Sequence, residues 1–74
     1  MHIEYDREND TAYLSFVARI PDGAAVRQVA VDGVAPDAEV MLDLDAAGRM
    51  LGIEVTGARR VLPAELLDGA PSVS

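Results

Sequence analysis

The longest regular alternation of apolar and polar positions runs from Glu39 to Thr56, EVMLDLDAAGRMLGIEVT. A period of two in both halves marks half-buried β-strands, because successive side chains of a strand point to opposite faces. Asp45-Ala46-Ala47-Gly48-Arg49 lies between the halves and has turn-forming composition, so the stretch predicts a β-hairpin. Val40, Leu42 and Leu44 of the first arm, with Leu51, Ile53 and Val55 of the second, then share one face as the apolar centre. Met41, Asp43, Met50, Gly52 and Glu54 fall on the other face.

The same period appears upstream. His2-Ile3-Glu4-Tyr5 predicts a short strand, Asp6-Arg7-Glu8-Asn9-Asp10 a polar turn, and Thr11 to Val17 a second strand, together an antiparallel hairpin. Ala12, Leu14 and Phe16 share one face of the second strand. As cross-strand neighbours, Tyr5 and Tyr13 read first as plugging one edge of the sheet and second as an amphipathic partner-binding patch whose hydroxyls reach water. Pro21-Asp22-Gly23 predicts a turn, and the β-branched stretch Val26 to Val31 a third strand that Asp32-Gly33 ends. A loop with Pro36-Asp37 leads into the central hairpin.

After Thr56-Gly57 the period changes. Ala58 to Leu62 predicts a helical turn, and Pro63 to Asp68 a short helix with proline at its first position and Gly69 past its end. Val61, Leu62, Leu66 and Leu67 offer an apolar stripe to cover the sheet. The expected fold is α+β: an antiparallel sheet of four or five strands built from β-hairpins, with one or two short C-terminal helical turns. A single domain spans residues 1–69, and residues 70–74 form a flexible tail.

Composition adds an expectation about assembly. A chain of 74 residues buries only about 60% of its unfolded surface, so an isolated monomer is marginal. There is no cysteine, and the one histidine, His2, leaves no Cys/His set for a structural zinc. Oligomerisation is the remaining source of stability, and a homodimer is expected. Met41, Met50 and Gly52 are candidates for its surface, because methionine adapts to irregular contacts and glycine allows close approach.

Charge removes whole classes of partner. Six arginines, no lysine and thirteen acidic residues give a net charge of −7. That field repels phosphate backbones and anionic headgroups, and the only aromatics are Tyr5, Tyr13 and Phe16, so neither a nucleic acid nor a membrane is expected as partner. No apolar run approaches the ~20 residues needed to span a bilayer. Met1-His2-Ile3-Glu4 lacks the basic and apolar regions of a signal peptide, and a cytoplasmic protein is expected.

Candidate chemistry is sparse. Asp43, Asp45, Gly48 and Glu54 stand at the spacing of a calcium-binding EF-hand loop. Ala47 supplies no side-chain oxygen where that loop needs one, and the flanks alternate as strands instead of helices, so the stretch reads as a hairpin. Asp6, Glu8 and Asp10 form an acidic loop that reads first as solvated charge. His2 lacks an orienting partner nearby in sequence, Ser15 lies in no nucleophile elbow, and Gly48 and Gly52 form no phosphate loop. No cofactor is implied.

HIEYDREND-TAYLSF, followed later by DLDAAGRMLGIEV, resembles the small bacterial and archaeal proteins called domain of unknown function 2283. Their pattern has an Ile-x-Tyr-Asp strand, a tyrosine-containing second strand and an Asp-x-Asp-x-x-Gly-x-x-x-Gly-Ile-Glu hairpin. Ile3, Tyr5, Asp6, Asp10, Tyr13, Asp43, Asp45, Gly48, Gly52, Ile53 and Glu54 carry the resemblance over residues 1–62. It implies a compact antiparallel sheet with a short C-terminal helix, and no assigned activity.

Two functions stand open on these residues. One is a non-enzymatic homodimeric interaction module that binds a small protein, with Tyr5, Tyr13, Met41, Met50 and Gly52 as its candidate surface. The other is a small-ligand or divalent-metal accessory protein that uses the carboxylates around the central hairpin.

Overall fold

The structure is a computed structural model and describes residues 1–71. Five strands, β1 (His2–Asp6), β2 (Thr11–Ser15), β3 (Arg27–Ala30), β4 (Glu39–Leu44) and β5 (Met50–Thr56), form one antiparallel sheet in the order β1-β2-β5-β4-β3. A 3-10 turn at Ala58–Arg60 and one helix, α1 (Ala64–Asp68), follow. The expected sheet and short C-terminal helical segments are present, and the helical share is small.

Local chemistry accounts for the turns. In the β4–β5 hairpin the Asp45 N–H donates to the Arg49 carbonyl at 2.9 Å, and the Asp45 carboxylate accepts from the N–H groups of Ala47 and Arg49, both at 2.9 Å. Gly48 closes this turn at φ 81°, a conformation that only glycine adopts without steric cost. In the β1–β2 hairpin Asp6 plays the same part. Its carboxylate accepts from the Glu8 and Asn9 N–H groups and from the Asn9 side chain at 2.7 Å, and these bonds, the Asn9 side chain's first, hold its pKa below the ordinary value.

The register sorts side chains onto two unlike faces. Ile3 pairs with Leu14 and Leu14 with Ile53; Tyr5 pairs with Ala12, Ala12 with Val55 and Val55 with Val40. These rows form the core together with Ala58, Leu67 and Ala70. Pro63 caps α1 from outside, one residue before its first turn, and the Leu66 and Leu67 N–H groups donate to the Pro63 carbonyl. Leu67 is fully buried, so this one-turn helix plugs the β1-β2-β5 end of the sheet like a cork. Among the described residues no second layer covers the opposite face, and the molecule is only 17 Å thick.

Several expectations are corrected. A bulge lies at Asp43/Leu44, where Asp43 pairs with Gly52 but Leu44 pairs with Met50, so Leu51 is the extra residue. The expected unbroken face of Val40, Leu42, Leu44, Leu51, Ile53 and Val55 is therefore interrupted near the turn. Tyr5 and Tyr13 are not neighbours: Tyr5 opposes Ala12, and Tyr13 opposes Glu4 on the other face. The packed chain also continues past Gly69, since Ala70 is buried and the Tyr5 N–H donates to the Pro71 carbonyl at 3.1 Å. Residues 72–74, the rest of the expected tail, lie outside the described residues.

Leu67→Ala is expected to lower unfolding free energy by about 2–5 kcal/mol, because the site is sealed and leaves a cavity. Met50→Ala, at a half-exposed position, is expected to change it by less than about 0.5 kcal/mol. Urea denaturation followed by circular dichroism compares them, and equal losses would show that α1 does not close the core.

Candidate functional site

Polar side chains gather in two places, one on each face. On the core face the β1–β2 turn ends at Asp10, whose φ of 52° puts it in the left-handed region. Its carbonyl accepts from Gly57 at 2.9 Å and Ala58 at 3.0 Å. Its Oδ1 accepts from the Tyr5 hydroxyl at 2.6 Å and the Arg59 N–H at 3.1 Å. The Tyr5 ring, 1% exposed, has the guanidiniums of Arg7 and Arg59 at 5.2 and 5.6 Å from its centroid. Arg59 also pairs with Asp68 at 3.1 Å, tying the 3-10 turn to the end of α1. The hydrogen bond to Asp10, helped by burial, raises the Tyr5 pKa.

On the open face Tyr13, Asp43, Gln28 and Gly52 form a second cluster. Ser15 and Asp43 flank Gly52 in one cross-strand row, and Glu4, Glu54 and Met41 follow Tyr13 in the next. The Tyr13 side chain runs diagonally across Gly52 to reach Asp43. A Cβ on Gly52 would lie 2.4 Å from the Tyr13 hydroxyl and 2.7 Å from the Leu14 carbonyl, so only glycine fits beneath the ring. Asp43 is 8% exposed, and both its oxygens are used: Oδ2 accepts from the Tyr13 hydroxyl at 2.7 Å and Oδ1 from the Gln28 amide at 2.9 Å. Burial, then the Asp43 bond and the charges of Asp43 and Glu54, push the Tyr13 pKa well above the ordinary phenol value.

These contacts leave little free reactivity. The pairing sets His2 opposite Ser15, but the Ser15 hydroxyl donates to the Val17 carbonyl and His2 lies 3.9 Å from Glu4. No base meets a nucleophile there. Among the described residues no three histidine or carboxylate side chains converge to hold a metal ion. Asp43 and Asp45, two members of the EF-hand-like spacing, spend their carboxylates on Tyr13, Gln28 and the hairpin backbone.

The five expected surface positions do not form one patch. Tyr5 is in the core, Gly52 lies under the Tyr13 ring, Met41 stands on the open face beside Glu54, and Met50 lies beyond the bulge. Alternation gave no sign of the Tyr13–Asp43–Gln28 cluster. The one available signal was a glycine inside a strand, which marks close approach, here by a tyrosine of the same chain.

Exposed apolar side chains concentrate elsewhere. All four residues of β3 are exposed, and Val26, Val29, Val31 and Val34 stand open along that margin. Beside it the β3–β4 loop borders a groove of ≈ 740 Å³ lined by Val31, Val34, Pro36, Val40, Met41 and Glu39. Among the described residues no helix is long and apolar enough to cross a membrane.

A family model described as "Protein of unknown function (DUF2283)" matches residues 2–59. That span takes in the whole sheet and both polar clusters, and ends before α1. No curated protein and no solved structure matches the chain.

Two outcomes are expected. Millimolar calcium should leave the melting temperature unchanged, since a specific site would add roughly 2.7 kcal/mol at a hundredfold excess over its dissociation constant; a clear upward shift would show a site at the hairpin. For Tyr13 the folded pKa lies above the unfolded value of 10.0, so its stabilisation is full below pH ~10 and is lost as pH rises through the folded value. Tyr13→Phe should flatten the alkaline fall in stability. It should also cost about 1–3 kcal/mol at neutral pH by leaving buried Asp43 short of a donor. Urea midpoints at several alkaline pH values measure both, and an unchanged alkaline slope would contradict the pairing.

Proposed function

The chain belongs to the DUF2283 family, and from that premise we propose that it is a non-enzymatic protein-interaction module that works as a homodimer. The observation that carries this reading is the open margin of the sheet at β3, where Val26, Val29, Val31 and Val34 are all exposed. A sheet edge with unpaired backbone groups and apolar side chains recruits another chain unless something blocks it. Small size adds pressure in the same direction, because the chain has no cysteine for a disulfide and, among the described residues, no cluster of metal-ligating side chains to supplement a single core.

The polar clusters support a structural role and not a catalytic one. Asp43, Asp10 and Asp45 each accept at least two hydrogen bonds from their own chain. Their acceptors are used in holding strands and turns. The net charge of −7 disfavours polyanions. A cysteine-free chain has no need of an oxidising compartment, and we place it in the cytoplasm.

Light scattering at micromolar concentration tests the reading. The expected mass is that of a dimer, with a melting temperature that falls on dilution. A monomer mass at every concentration, with a constant melting temperature, would overturn it.

A further inference from the structure

The two margins of the sheet differ in what occupies them. At β1 the outward Tyr5 N–H is taken by the Pro71 carbonyl. At β3 the Val31 N–H donates inward to the Val40 carbonyl at 2.8 Å. Backbone groups of an antiparallel edge strand point alternately towards and away from the neighbouring strand. Val29 and Arg27 are therefore inward like Val31, and the N–H and C=O groups of Gln28 and Ala30 point out of the sheet. No described loop or terminus bonds to them.

We propose that β3 pairs antiparallel with β3 of a second copy about a two-fold axis at Val29, joining two five-stranded sheets into one. This rests on the interaction-module reading and names its partner and register. Two outward residues separated by one inward residue are self-complementary. In an antiparallel ladder outward residues face outward residues and exchange N–H···O bonds in pairs. The two-fold register that uses both sets Gln28 against the partner's Ala30 and Ala30 against the partner's Gln28. Val29 then meets the partner's Val29 across the axis, in the closer, non-hydrogen-bonded kind of pair.

Side chains and charge favour a second copy over a basic peptide. Val29 shares the core-face row of Leu42 and Ile53, beyond the reach of α1, so the pairing continues an apolar row across the joint. The Gln28 amide is already engaged by Asp43 on the other face and does not obstruct the edge. From Gly23 to Val31 there is no carboxylate, and Arg27 is the only charge. In a chain carrying −7 overall, this is a segment where two copies meet with little repulsion, and it has no acid to attract a cationic strand. Two paired edges make a contact at the small end of the interface range, so the dimer is expected to dissociate on dilution.

Two substitutions test the register. The chain has no cysteine, so Val29→Cys introduces the single thiol at a position whose Cα atoms approach to about 4.5 Å across the axis, within the range of a disulfide. Mild oxidation should give a disulfide-linked dimer on a non-reducing gel, and Gln28→Cys, displaced from the axis, should not. Ala30→Pro removes an outward N–H and leaves the β3–β4 ladder its bonds, so the scattering mass should halve while circular dichroism stays unchanged. Retention of the dimer mass by Ala30→Pro, or failure of Val29→Cys to cross-link in a dimeric protein, overturns this register and leaves the interaction-module reading standing. A monomeric parent chain overturns both.

Discussion

Four hydrogen bonds converge on Asp10, and the arrangement of everything after β5 depends on them. Its carbonyl holds the N–H groups of Gly57 and Ala58, and its carboxylate holds the Tyr5 hydroxyl and the Arg59 N–H. Positive φ at a non-glycine residue costs of order 1–3 kcal/mol and persists only where the surroundings over-determine it. Here the same residue ends the first hairpin, satisfies a buried phenol and anchors the 3-10 turn. The chain leaving β5 is thereby directed over the β1–β2 end, where Leu67 and Ala70 complete the core.

Among the described residues the open face is managed without a second layer. Tyr13 lies along the sheet over Gly52, so one ring covers backbone that a further helix would otherwise cover. Its hydroxyl and the Gln28 amide satisfy a carboxylate that would be costly to bury alone. Among the described residues every buried side-chain nitrogen and oxygen has a hydrogen-bond partner. Both polar clusters thus tie elements distant in sequence: Asp10 joins the first turn to the segment after β5, and Asp43 joins β2, β4 and β3.

Period-two alternation carried most of the sheet, because five short strands in register leave a direct trace in the apolar positions. The β4–β5 turn was legible for a similar reason, since Asp45 and Gly48 are residues that such a turn demands. Facing was legible only where turn lengths are known. Residues 7–10 form a four-residue connection, so odd positions in β1 oppose even positions in β2, and Tyr5 and Tyr13 are forced onto opposite faces. The bulge had no trace at all: one extra residue in β5 changes no composition, yet it moves Met50 from Gly52's face to a place opposite Leu44. Of the polar clusters, Asp10 and Asp43 were visible as acidic residues, but their partners are set by strand order, which alternation does not encode.

The strand order also divides the chain into two pieces, each connected locally. β1 with β2 is a local hairpin, and β3-β4-β5 is a meander whose neighbours follow one another in sequence. The seam between them is β2 against β5, where Thr11 meets Thr56 and Ser15 meets Gly52. Closing that long excursion has an entropic cost that grows with loop length and precedes any reward from its contacts. Asp10 reaches across this same seam from one end, to Gly57, Ala58 and Arg59, and Tyr13 from the middle, to Asp43, so these bonds form only when the pieces meet. The bonds that fasten this seam are therefore ones that neither piece can make alone.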